Sequence, residues 1–153
     1  MKVKLTDEWQ TPHDFREWFE TMFGYPEIDV ACNGNNMFGD LGLSDGLLLD
    51  WNPNDSVRGI IWCNPPYSQT SVLVDRAIKQ FNKHKKSRIY MLLKNDTSTK
   101  WFNKLMEANA SVWFLNPRIQ FDPPEGLKKS SNAFSSILVL LDGRGRMYYN
   151  KWK

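Results

Sequence analysis

The chain is expected to fold as an α/β domain built on a mostly parallel sheet with helices on both faces. Three features lead there. Strand-like and helix-like segments alternate over residues 58–116. The strand-like segments "GIIWCN" and "RIYMLLK" are apolar almost throughout, the pattern of strands buried on both faces. The stretches between them are long enough to hold crossover helices, which parallel strands require and which are right-handed by default.

Each element has a local reason. "TPHDFREWFETMFG" is expected to be a helix: Thr11 can cap it, Pro12 suits its first turn, and Phe15, Trp18, Phe19 and Met22 recur at helical spacing. Gly24 can end it. "PEIDVAC" is then a short strand, "NGNNMFGDLGLSDG" a loop rich in Gly and Asn, and "LLLDW" a second short strand. "RGIIWCN" is a buried strand that stops at Pro65 and Pro66, because neither proline has an N–H to donate to a ladder. "SVLVDRAIKQFNKHKK" is a helix with Val72, Leu73, Ala77, Ile78 and Phe81 inward. Strand "RIYMLLK" follows, then helix "STKWFNKLMEANA" with Trp101, Phe102, Leu105 and Met106 on one face, then strand "SVWFLN". A longer loop, "DPPEGLKKSSNA", precedes strand "FSSILVLLD". The turn at "GRG" and the segment "MYYNK" predict a C-terminal antiparallel hairpin.

Composition narrows the class. The 153 residues suit one domain, with no separate target-recognition domain. With 41% hydrophobic and 24% charged residues, the chain is globular rather than disordered. No apolar run is long enough for a membrane span, and "MKVKLTDEWQ" lacks the apolar core of a secretory leader, so a cytoplasmic setting is expected. Cys32 and Cys63 form neither a disulfide framework nor a zinc pattern, and no metal is expected. The net charge of +3 permits a polyanionic partner without demanding one. The basic run "NKHKKSR" falls at a helix C-terminus, where the helix dipole favours cations, and His13 and His84 belong to no shared motif.

Ligands of open α/β sheets settle beyond the carboxyl ends of the strands. "DVACNGN", "NPPYS", "KNDTS" and "NPRIQF" all fall on that edge. In "NPPY", the Asn64 side-chain oxygen and the Pro65 carbonyl are two neutral acceptors, and Pro66 stiffens the backbone that carries them. Two convergent acceptors suit a planar NH₂ group, whose delocalised lone pair they would localise toward an electrophile. Tyr67 offers a face for a flat substrate. No general base is needed, because a newly alkylated cationic amine is itself strongly acidic.

The motif "NPPY" is similar to that of the S-adenosylmethionine-dependent amino-methyltransferases. The ordered set "DEWQTP", "IDVAC", "DGLLLDW", "WCNPPYS", "LLKNDTSTKWF", "RIQF" and "SSILVLL" resembles the small phage-type DNA adenine-N6 methyltransferases over most of the chain. The resemblance implies a compact Rossmann-like methyltransferase sheet, S-adenosylmethionine as cofactor, DNA as partner, and direct methyl transfer to adenine N6. It also implies the host cytoplasm as location and protection of a viral genome as purpose. Asn64 and Pro65 would accept from the target amine, with Tyr67 stacked on the flipped base and Ser68 beside it. Trp9, Thr11 and Pro12 match the "TP" segment that lies against the cofactor, and Asn64 borders it. Asp29, Ala31, Cys32 and Asn33 stand where the cofactor loop begins, since "DVACNGNN" is similar to the "DPACGSGN" of larger relatives. Asp45, Asp50 and Trp51 are candidates for the ribose and adenine of the cofactor. Lys94, Arg118, Lys128 and Lys129 are candidates for DNA contact, in loops at 94–99 and 117–133. Asn33 and Asn35 replace glycines of the usual pattern, and too few residues follow for a full helix and strand, so the cofactor half is expected to be shortened. The same acceptor pair could serve cytosine N4 or a glutamine amide, and an inactive nucleic-acid-binding relative is a further alternative. The recognition sequence, the strandedness of the DNA and the choice between monomer and homodimer stay open.

Overall fold

The computed structural model describes residues 9–32, 37–43, 45–124, 126–128 and 134–153. In chain order the elements are α1 (His13–Phe23), β1 (Ile28–Asp29), β2 (Leu41–Gly42), β3 (Ile60–Cys63), α2 (Thr70–Lys83), β4 (Arg88–Lys94), α3 (Lys100–Glu107), β5 (Ser111–Asn116), β6 (Ser136–Leu141) and β7 (Met147–Lys151). Short 3₁₀ turns lie at Pro53–Asp55 and Tyr67–Gln69. The strands form one seven-stranded sheet in the order β2-β1-β3-β4-β6-β5-β7. Strands β2, β1, β3 and β4 pair in parallel, as do β5 and β7; β6 runs against both of its neighbours.

Successive side chains on a strand point to opposite faces, so the apolar strands supply two cores at once. Ile61, Cys63, Ile89, Met91 and Leu93 face α2 and α3, where Leu73, Val74, Ala77, Phe102 and Leu105 cover them. Ile60, Trp62, Tyr90 and Leu92 face the other way, against Phe15 and Phe19 of α1 and against Phe38, Ile119, Phe121 and Trp152. The Thr99 hydroxyl caps α3 by accepting from the Phe102 N–H at 3.2 Å. Gly24, at φ 112°, ends α1 in the region where glycine carries no Cβ penalty.

Four local expectations are corrected. Thr11 does not cap α1: Pro12 occupies the N-cap position with no side-chain cap bond, and the Thr11 hydroxyl is engaged elsewhere. "LLLDW" does not form a strand. The Asp45 carboxylate accepts from the Leu47 N–H at 3.0 Å and its carbonyl from the Leu49 N–H at 3.1 Å, which closes a turn instead. The second strand is the pair Leu41–Gly42, inside the stretch expected to be loop. On α2, Val74 and Gln80 are buried and Val72 is exposed; the Gln80 amide oxygen reaches inward to accept from the Trp51 N–H at 3.0 Å. On α1, Met22 faces solvent at 51% exposure.

The last two strands run in opposite directions but do not pair. Gly143 and Gly145, at φ 70° and 63°, make the expected turn. Strand β6 is already bonded on both edges, to β4 and to β5. Strand β7 therefore takes the outer edge of β5, with Val112 opposite Met147.

Candidate active site

The chain leaves β1 toward β2 on one side of the sheet and leaves β3 toward β4 on the other. The crevice between the carboxyl ends of β1 and β3 is thus the topological switch point, where open α/β sheets take their ligands. The Val30 N–H donates to the Trp62 carbonyl at 3.0 Å, so Ala31 and Cys32 leave the sheet beside Asn64 and Pro65.

The Asn64–Tyr67 loop is stiff at both ends. Pro65 is buried and neither proline can extend the β3 ladder. Beyond them the Gln69 N–H donates to the Pro66 carbonyl at 2.8 Å, which closes the 3₁₀ turn that feeds α2. Asn64 is half-buried, and its Nδ2 donates to the Oγ1 of buried Thr11 at 2.6 Å. The "TP" segment and the "NPPY" motif, far apart in sequence, therefore meet.

Asn64, Pro65 and Tyr67 line one small surface pocket with Thr70, Lys94, Phe121, Phe134 and Ser136. Tyr67 is 44% exposed, so part of its ring is available to a partner. Phe134 meets the Tyr67 ring nearly at right angles, 5.3 Å between centroids, and the Lys94 ammonium sits 5.1 Å over the Phe134 ring. Burial pushes the Tyr67 phenol up to about 12, so at neutral pH it is an uncharged donor. Phe134 was missed by sequence reasoning, which made it the first residue of a strand. Its place directly after the basic loop and before β6 is the signal that could have found it.

Asp29 is buried, and both of its oxygens are used: Oδ1 accepts from the Ala31 N–H at 3.0 Å and Oδ2 from the Phe38 N–H at 2.9 Å. It staples the two ends of the loop that carries Asn33, itself outside the described residues. Arg16 adds a brace, with Nη1 donating to the Met37 carbonyl at 3.2 Å. Burial raises the Asp29 carboxyl from 3.8 to about 6, against the two backbone donors and Arg16, which pull it down. The folded protein thus holds this proton more tightly than the unfolded chain does. Its contribution to stability falls as pH rises through that window and stays low above it. The unfolding free energy of wild type relative to Asp29→Asn should drop by about 2 kcal/mol between pH 4 and pH 6. Urea titrations at several pH values measure it; a constant difference would mean that Asp29 does not titrate in that window.

The other candidates divide. Thr11 and Pro12 are buried beside Asn64, and Ala31 and Cys32 are half-buried at the crevice. Trp9 is half-buried against the α1-side core, next to Gln10, which pairs through its backbone with Asp122. Asp45 is exposed on the same edge: adjoining Gly46 lies so close to the Val30 carbonyl that a Cβ there would collide with it. Trp51 is wholly buried and acts through Gly46, donating from Nε1 to the Gly46 carbonyl at 2.7 Å. Asp50 is not at this edge. It bonds Lys83 at 2.7 Å and His84 at 2.9 Å at the far end of α2, about 20 Å along that helix from the Tyr67 turn. Burial there opposes ionisation, but Lys83, the Asn52 N–H and His84 hold the carboxyl down to about 2. His84, in turn, is buried between Asp50 and Asp55. Lys94 borders the pocket; Ser68 and Arg118 are exposed beyond the carboxyl ends of β3 and β5, Lys128 is exposed, and Lys129 lies outside the described residues.

A Rossmann-like methyltransferase sheet with an Asn-Pro-Pro-Tyr loop at its switch-point crevice defines the class of this protein. The family model described as DNA N-6-adenine-methyltransferase (Dam) matches residues 1–149, and the chain belongs to that family. It is 41% identical over 142 residues to a protein of Haemophilus phage HP1 (strain HP1c1) named DNA N-6-adenine-methyltransferase, a match that covers 89% of this chain and 79% of that protein. It is 29% identical over 142 residues to a protein of the same name from Escherichia phage T1, covering 91% of this chain. The match spans just over half, 56%, of the length of the T1 protein.

Proposed function

We propose that the protein methylates the N6 amine of adenine in DNA with S-adenosylmethionine as methyl donor. The observation that carries this reading is the shared pocket of Asn64, Pro65 and Tyr67 beside the switch-point crevice. Family membership and the names of the two phage relatives support the choice of adenine in DNA. No helix among the described residues is long and apolar enough to cross a membrane.

The residues present fit the cofactor. Half-buried Ala31 and Cys32 open beside Thr11, Pro12 and Asn64, and the Asp45 carboxylate stands exposed on the same edge, where hydroxyls or an ammonium could meet it. When bound, S-adenosylmethionine supplies an electrophilic methyl group. The Asn64 Oδ1 and the Pro65 carbonyl would accept from the two N6 hydrogens and localise the N6 lone pair, which would form the new N–C bond as the methyl–sulfur bond breaks and its electron pair stays on the S-adenosylhomocysteine that leaves. The N6 proton then leaves to water. A base in a duplex must be flipped out to reach the pocket. Stacking on Tyr67, braced by Phe134, would offset part of that cost, and Lys94, Arg118 and Lys128 are the candidates for phosphate contact.

Methyl transfer to unmethylated DNA, with the product bases resolved by mass, tests the proposal. N6-methyladenine is expected; N4-methylcytosine in its place, or no transfer together with no S-adenosylmethionine binding by calorimetry, would overturn it. Tyr67→Ala should raise the KM for DNA by about ten- to a hundredfold, whereas Tyr67→Phe should stay within about threefold of wild type, because the ring face matters more than the hydroxyl. Equal impairment of the two variants would remove the stacking role.

A further inference from the structure

We infer that Thr11 is a positioning residue for catalysis: its hydroxyl anchors the Asn64 amide with Nδ2 toward Thr11 and Oδ1 toward the substrate. This rests on the reading of Asn64 as the acceptor for the target amine. A side-chain amide has one acceptor end and one donor end, related by a half-turn about its terminal bond. An NH₂ substrate can use only the acceptor end; the other would set two donors against each other. Something must hold the amide the right way round before the base arrives.

The Thr11 Oγ1 does so by accepting from Asn64 Nδ2 at 2.6 Å. With Nδ2 directed at Thr11, Oδ1 is turned toward the remaining side. Thr11 is 5% exposed, so water competes poorly for that bond. Its backbone is fixed on both sides. The Arg16 Nε donates to the Thr11 carbonyl at 3.1 Å. Gln10 exchanges two backbone bonds with Asp122, each 2.8 Å long. A Thr before the first turn of a helix ordinarily caps it, yet α1 has no side-chain cap. The hydroxyl is spent on Asn64 instead.

The test compares methyl transfer to unmethylated DNA by wild type, Thr11→Val, Thr11→Ser, Asn64→Asp and the double variant Asn64→Asp with Thr11→Val. Thr11→Val keeps the side-chain shape and should lower kcat at saturating S-adenosylmethionine about tenfold, the kinetic equivalent of one buried hydrogen bond. Thr11→Ser should restore most of the lost kcat. A carboxylate presents an oxygen whichever way it turns, so in the Asn64→Asp background Thr11→Val should cost less than about threefold. An equal loss in both backgrounds, or an unchanged kcat at saturating cofactor, would overturn the inference. If Asn64→Asp is inactive, the Val-versus-Ser contrast in kcat at saturating cofactor decides alone. A near-normal rate for Asn64→Ala would sink the acceptor reading itself, whereas an inactive Asn64→Ala beside a fully active Thr11→Val would sink only the role of Thr11.

Discussion

Replacing Asn64 by alanine is expected to lower kcat for DNA methylation about a hundredfold or more, with S-adenosylmethionine binding near the wild-type level. The size follows from where the charge develops. On the proposed mechanism N6 becomes cationic as the methyl group arrives, and the Asn64 and Pro65 oxygens would stabilise it. Removing one leaves only the Pro65 carbonyl. The ground state loses less, because the uncharged amine gains little from the same contact. Thus the effect belongs in kcat rather than in cofactor affinity. Steady-state kinetics with calorimetry measures both; a rate within a few-fold of wild type would remove Asn64 from the chemistry. The comparison is clean because the backbone of the loop does not depend on the amide: the prolines and the Gln69–Pro66 bond hold it.

The second large effect lies in the core. Phe19→Ala should destabilise the fold by about 3–5 kcal/mol, read from urea unfolding with an unchanged denaturant slope. Phe19 is fully buried, with ring centroids 4.8 Å from Trp62, 5.2 Å from Tyr90 and 5.7 Å from Phe38. It joins α1 to the α1-facing sides of β3 and β4 and to the end of the loop that Asp29 staples. Rings of this size cannot close over the cavity that alanine leaves. Met22→Ala, one turn further along α1 but exposed, should change stability by no more than about 0.5 kcal/mol. Similar costs for the two would mean that α1 packs in a different rotation.

Strands β4, β5 and β7 were legible to the residue, because "RIYMLLK", "SVWFLN" and "MYYNK" are apolar or β-branched runs bounded by turn residues. Helices α2 and α3 were legible from their spacing. "LLLDW" misled because its apolar run is overruled by one carboxylate, Asp45, which captures the following N–H groups. Strand β2 was not legible because two residues of polar-flanked Leu-Gly carry no periodicity. Asn64, Pro65 and Tyr67 could be singled out from the sequence because chemistry and strand end coincide in one short string, and the structure brings them to one pocket. Phe134 was missed because its ring meets Tyr67 across a long sequence separation, which no local pattern records. Asp50 was misplaced because its neighbour in sequence, the Asp45–Gly46 turn, faces the crevice while Asp50 itself faces the far end of α2.

The sequence by itself determined the kinds of most elements, the two buried faces of the sheet, and the rigid Asn-Pro-Pro-Tyr loop after β3. Those depend on side-chain alternation, helical spacing and the missing N–H of proline, all local properties. Only the tertiary structure decided that β7 joins β5, that Asp29 spends both oxygens on its own loop, and that Thr11 leaves the helix uncapped to hold Asn64. Each of these is a choice among donors and acceptors distant in sequence. Such a choice is settled by which groups the packed sheet brings within hydrogen-bond reach, and no local pattern records it.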